Sequence, residues 1–213
     1  MNEHEQSKQA IAAFLLQIKA IKLNVQQPFT WASGLKSPIY CDNRITLSFP
    51  LIRTYIKEQF IQRIKERYGQ PELIAGVATG GIAHGVLVAQ ELGLPFAYVR
   101  PDKKKHGLSN QIEGVVKEGE TVVVIEDLVS TGGSSLNAVN ALRDAGASVL
   151  GMYAIFTYGL PVAMKNFEQA ECLLSTLTDF DTLLEKAVSQ EYITQRELQS
   201  LLEWRQDPAS WKG

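Results

Sequence analysis

Apolar side chains at Ile11, Phe14, Leu15 and Ile18 recur three and four positions apart, which predicts an amphipathic helix over about Glu5 to Ile21. An irregular segment bearing Pro and Gly runs on to Arg44. From Pro50 to Tyr68 the stripe Ile52, Ile56, Phe60 and Ile64 predicts a second helix, with Ser48 placed to cap it. After Pro71 the period changes. Leu73 to Ala78 is an almost continuous apolar run, as in a strand covered on both faces. Gly81 to Leu92 reads as a helix stopped by Gly93 and Pro95, and Phe96 to Arg100 as a strand. Thr121 to Ile125 is a β-branched strand, Ser134 to Ala145 a helix closed by Gly146, and Ser148 to Phe156 another apolar strand. A short strand at Cys172 to Leu177 and two more helices finish the chain. The last of these opens on a Thr194/Glu197 capping box. The alternation predicts an α/β fold, a doubly wound, mostly parallel sheet flanked by helices, behind an N-terminal appendage. No repeat or linker divides residues 1–213, so one domain is expected.

Composition narrows the classes. An apolar fraction of 45% supports a full core, and a net charge of -2 gives no overall pull toward nucleic acid or anionic membrane. Cys41 and Cys172 stand far apart without a CxxC, so neither a disulfide framework nor a structural zinc site is expected. No apolar run is long enough for a membrane helix, and Met1 to Ala10 is polar, which excludes a signal peptide and points to a cytoplasmic chain.

The chemistry concentrates between Val122 and Ser134. An apolar strand leads into two adjacent carboxylates, Glu126 and Asp127, then Leu128, Val129 and the small-residue turn Ser130, Thr131, Gly132, Gly133, Ser134, which runs straight into a helix. Ligands of open parallel sheets bind beyond the carboxyl ends of the strands. Glycines there admit an anion close to the backbone, and free N–H groups at the helix start complete a phosphate cradle. Carboxylates would repel a phosphate, so the acid pair is expected to face sugar hydroxyls, and a ribose 5-phosphate satisfies both halves. The turn is not a Walker A loop, and Ala78 to Gly85 has the wrong spacing for a dinucleotide fingerprint. Thr79, Gly80 and Gly81 form either a second anion pocket or merely a tightly packed turn. Between Arg100 and Gly119 the chain is polar and long for a connection, with Lys103, Lys104, Lys105 and His106 as its one strongly basic stretch, which suggests a lid.

The run Glu126 to Ser134 resembles the phosphoribosyl pyrophosphate (PRPP) signature of the type I phosphoribosyltransferases. Phe29 to Arg44 and the stretches Tyr98 to Gly107 and Asn110 to Gly114 are similar to the orotate-side segment and catalytic loop of the orotate phosphoribosyltransferases. The resemblance implies the type I fold, with residues 1–45 as a hood on the orotate side and 70–160 as the PRPP-binding core. It implies transfer of phosphoribosyl from PRPP to orotate, giving orotidine 5'-phosphate and diphosphate, in pyrimidine biosynthesis. Lys104 and Asp127 would be catalytic. Arg100, Lys104 and His106 would close over the pyrophosphate, Glu126 and Asp127 would hold the ribose hydroxyls, and Leu128 to Ser134 would hold the 5-phosphate. Ser130 with Tyr40 and Cys41 would meet orotate. Mg2+ would be carried by the diphosphate without direct protein ligands, and a homodimer would let each catalytic loop reach the neighbouring subunit. Pro101, Ala32 and Gly80 stand where some members carry lysine, and no arginine follows Phe156. Cys41 is expected to be a small buried residue, and His84 a packed or solvated one.

Overall fold

The computed structural model describes residues 2–31, 34–101 and 111–212. Helix α1 spans Glu3–Gln17, with the Asn2 side chain accepting from the Glu5 amide at its start. It stops short of the expected Ile21 because the backbone turns at Lys19, where φ is 57°, and Ile21 opens a strand. The segment expected to be irregular holds four short strands, β1 (Ile21–Leu23), β2 (Phe29–Thr30), β3 (Lys36–Ser37) and β4 (Ile39–Cys41). β1 pairs antiparallel with β4, and β2 with β3. A 3-10 turn over Asn43–Ser48 then leads into α2 (Pro50–Tyr68). Ser48 belongs to that turn and does not cap α2. Phe49 takes the cap position without a side-chain bond, and Pro50 supplies the helical φ.

The core follows as β5 (Leu73–Val77), α3 (Gly80–Leu92), β6 (Phe96–Val99), β7 (Ile112–Glu113), β8 (Thr121–Val129), α4 (Gly133–Asp144) and β9 (Ser148–Thr157). It ends in α5 (Pro161–Gln169), β10 (Leu174–Asp179), α6 (Phe180–Ser189) and α7 (Gln195–Gln206), with the Thr194/Glu197 capping box formed as expected. The sheet order is β10-β9-β8-β5-β6-β7, parallel except for the β6/β7 edge pair. The fold is therefore α/β with a mostly parallel sheet flanked by helices. Several core elements differ from expectation, among them the short edge strand β7, which was not anticipated. Helix α5, which opens on Pro161 and buries Ala163 and Phe167, was not anticipated, and β10 begins at Leu174 instead of Cys172.

The order of strands fixes where a ligand can enter. From β5 the chain winds through α3 to β6 on one side. From β8 it winds through α4 to β9 and β10 on the other, so the switch point lies at the carboxyl ends of β5 and β8. All five residues of β5 are buried, as are Val122 to Glu126 of β8. No helix among the described residues is long and apolar enough to cross a membrane.

Candidate functional site

Strand β8 does not end at Ile125 but runs through both acids to Val129. Glu126 ends the buried stretch of the strand and Asp127 lies just past it, and the two carboxylates accordingly differ. Glu126 is 4% exposed. Its Oε2 accepts from Ser135 Oγ at 3.0 Å and its Oε1 from the Asp127 amide at 2.9 Å. Burial, reinforced by the contact with Asp127, pushes the Glu126 carboxyl well above the usual range. Asp127 is half-buried and its carboxylate stands over Gly80, where an added Cβ would run into it. An added Cβ at Gly81 would likewise run into the Ile125 carbonyl. The turn after β5 is thus packed directly against the end of β8.

Beyond the acids, Leu128 is half-buried, whereas Val129 is buried and its carbonyl accepts from Thr157 Oγ1 at 3.1 Å. Ser130 is half-buried, and Thr131, Gly133 and Ser134 are exposed. Gly132 takes the N-cap position of α4 at φ 85°, a left-handed conformation that suits glycine, and a Cβ there would meet Phe167 at 2.8 Å. No side chain caps α4, so the first N–H groups of the helix remain open to an anion beside the Ser130, Thr131 and Ser134 hydroxyls. Asn166 of α5, which no local sequence pattern marks, donates to the Thr131 carbonyl at 2.9 Å and holds the turn from outside.

The N-terminal segment reaches this end of β8, where Asn43 Nδ2 donates to the Asp127 carbonyl at 2.6 Å. Tyr40 is 39% exposed and packs against Phe29, with ring centroids 5.7 Å apart, while Cys41 is buried. Burial, then the Asp127 and Asp42 charges, push the Cys41 thiol well up, so it is a protonated packing residue. Arg100 is half-buried at the edge, 3.6 Å from Glu113. Its amide donates to the Gln111 carbonyl at 2.9 Å, and Gln111 Nε2 returns a bond to the Arg100 carbonyl, which ties the two ends of the basic stretch together. Lys104 and His106 lie outside the described residues.

His84 of α3 is packed and not solvated. It is 1% exposed, with Nε2 3.2 Å from Thr46 Oγ1. Burial, then the Arg53 charge, push its pKa from 6.5 down to about 4. Between those values the unfolded chain binds a proton that the folded chain refuses. Stability is therefore full above about pH 6.5 and falls as pH drops toward 4, by up to about 3 kcal/mol. Urea midpoints at pH 7 and pH 4.5 check this: His84→Gln, which keeps an N–H donor, is expected to lose less stability on acidification than the parent, and equal losses would refute it.

An open carboxylate and an uncapped helix start at the switch point of a parallel sheet define a class, α/β proteins that hold a phosphorylated sugar across strand ends. The comparisons agree. Residues 49–179 match the phosphoribosyl transferase domain. The chain is 56% identical over 201 residues to the orotate phosphoribosyltransferase of Porphyromonas gingivalis, covering 94% of this chain and 96% of that one. It is 52% identical to that of Listeria innocua over the same shares of each chain. Among solved structures, the orotate phosphoribosyltransferase of Aeropyrum pernix superposes with a TM-score of 0.74 at 27% identity, covering 84% of this chain and 98% of that one. The chain belongs to the phosphoribosyltransferase family and, within it, to the orotate phosphoribosyltransferases.

Proposed function

We propose that this chain transfers the 5-phosphoribosyl group of PRPP to orotate, forming orotidine 5'-phosphate and diphosphate for pyrimidine biosynthesis. The observation that carries the site assignment is the open Asp127 carboxylate beside the uncapped start of α4. The turn from Ser130 to Ser134 binds the 5-phosphate through its amides and hydroxyls. Asp127 accepts from the ribose hydroxyls, and Glu126 supports it from beneath by holding the Asp127 amide. Leu128 and Val129 carry the backbone from the acid to the phosphate turn. The hood, residues 1–45, presents the Tyr40 and Cys41 backbone, with Ser130, to the orotate ring, and residues 70–160 form the PRPP-binding core.

The bond between the anomeric carbon and the diphosphate oxygen breaks as the orotate ring nitrogen bonds to the same carbon, through an oxocarbenium-like state. The work of the protein is to hold the two reactants in line and to neutralise the departing charge. Arg100, Lys104 and His106 supply that positive charge, and Lys104 is the one whose loss should slow the reaction most. An Mg2+ ion would be carried by the diphosphate without direct protein ligands and would screen the leaving group's charge. We further propose a cytoplasmic homodimer in which each loop completes the neighbour's site. The exposed Leu51 and Phe49, with Phe14, Ile52 and Tyr55, form an apolar groove that supports an interface between copies.

An acceptor panel tests the reading. Purified protein with PRPP and Mg2+ is expected to consume orotate and release diphosphate, and to leave uracil, adenine, hypoxanthine and xanthine untouched. Consumption of a purine would overturn the acceptor assignment while keeping the phosphate site.

A further inference from the structure

One side chain joins the hood to both halves of the crevice. Asn43 is fully buried at the start of the 3-10 turn. Its Nδ2 donates to the Asp127 main-chain carbonyl at 2.6 Å, across 84 residues of sequence. Its Oδ1 accepts from Cys41 Sγ at 3.3 Å. Its own main-chain carbonyl accepts from Thr46 Oγ1 at 2.6 Å, and that hydroxyl lies 3.2 Å from His84 Nε2 on α3.

Proton bookkeeping fixes every direction in this chain. The single hydroxyl proton of Thr46 goes to the Asn43 carbonyl, so His84 must donate its Nε2–H to Thr46. The Asp127 carbonyl can only accept, which leaves the Asn43 amide one orientation, with Nδ2 toward Asp127 and Oδ1 accepting from the protonated Cys41 thiol. A buried, fully directed chain of this kind is rigid, because any rotation leaves a polar group without a partner.

The chain links three places that must be in register for transfer. Cys41 belongs to the segment facing orotate, Asp127 to the ribose, and His84 to the helix that opens on the Thr79 to Gly81 turn. We propose that Asn43 is a positioning residue for the transfer step: by tying Cys41 to Asp127 it sets the separation and angle between orotate and the ribose of PRPP. This rests on the site reading given above, in which Asp127 holds the ribose.

The role predicts a split between chemistry and binding. Asn43→Ala is expected to lower kcat at saturating substrates by about 10- to 100-fold, the scale of a sub-ångström to 1 Å misplacement of reacting groups. The Kd for PRPP, measured by titration calorimetry with Mg2+ and no orotate, is expected to stay within about threefold. Asn43→Asp is nearly isosteric but turns a carboxylate toward the Asp127 carbonyl. The charged and titratable groups around it are the Cys41 thiol, on which the Asp127 and Asp42 carboxylates act, neutral His84 beyond Thr46, and Arg44, which is paired with Asp42. Burial and these acids favour its protonated form, whose O–H restores the donor. Its kcat relative to the parent enzyme is therefore expected to rise as pH is lowered from 8 to 6.

A purely structural residue would lower the melting temperature and the active fraction but leave kcat per titrated site unchanged, and that result would overturn the proposal. So would a parallel loss of PRPP binding in Asn43→Ala, or a flat ratio of kcat to the parent across pH in Asn43→Asp. If instead Asp127→Asn leaves PRPP binding intact, the site reading itself fails, and the Asn43 assignment falls with it.

Discussion

Replacing Asp127 with asparagine is expected to lower kcat/KM for PRPP by about 100-fold or more. Two charge-assisted hydrogen bonds to ribose hydroxyls, each contributing about 1.5–3 kcal/mol, set that scale, since every 1.4 kcal/mol is about tenfold. The loss should be large because the backbone cannot adapt. The Asp127 amide is bonded to Glu126 Oε1 and its neighbours Glu126 and Leu128 are paired in the sheet with Ala154 and Phe156, so the side chain is aimed from a fixed origin. Gly80 offers an independent check. A methyl group there would occupy the space of the Asp127 carboxylate, so Gly80→Ala should reproduce most of the Asp127→Asn loss by displacing the carboxylate. The two losses should therefore not add: in the Asp127→Asn background Gly80→Ala is expected to cost only a few-fold more. Steady-state kinetics on the four proteins of this cycle decide it. Full additivity would show that Gly80 acts elsewhere, and an unchanged kcat/KM in Asp127→Asn would remove the carboxylate from the site.

The same pair of residues shows what the sequence does and does not carry. The strand, acid pair and small-residue turn from Val122 to Ser134 were legible because each is local: β-branched residues favour the strand, and Gly132 is needed where φ is 85°. The inequality of Glu126 and Asp127 was within reach as well. Ending the strand at Ile125 hid it, whereas carrying the strand through to Val129 places Glu126 within its buried stretch and Asp127 just beyond it. The hood was not legible, because strands of two and three residues have no period to read, and their pairing comes from tertiary contacts. Asn43 was hidden for a related reason. Its partner lies 84 residues away, and a buried amide among polar neighbours has no local signature. Helix α5 did leave a weak trace, with Pro161 in its first turn and Ala163 and Phe167 four apart.

Trp204→Ala is expected to destabilise the fold by about 3–5 kcal/mol, the range for removing a large buried aromatic side chain. Trp204 of α7 is fully buried, with ring centroids 5.6 Å from Trp31, 5.6 Å from Tyr158 and 5.9 Å from Phe180. The functional consequence should fall on one substrate. Trp31 donates its Nε1–H to the Ile39 carbonyl at 3.3 Å, and the Tyr158 hydroxyl lies against the Cys41 backbone, so both rings steady β4, the segment proposed to meet orotate. Among the described residues neither ring contacts the turn from Ser130 to Ser134, and the one tie nearby is a main-chain bond from the Tyr158 amide to the Val129 carbonyl at 3.3 Å, which does not depend on the ring. Losing their shared partner should therefore loosen β4 while leaving the phosphate cradle in place. A thermal melt together with KM values for both substrates checks this: KM for orotate should rise several-fold more than KM for PRPP. An equal rise in both would mean that α7 braces the whole domain instead of the orotate side. Because α7 stands at the far end of the chain from the hood, a selective orotate defect would also show that the last helix belongs to the acceptor site, with its effect carried through Trp31 and Tyr158.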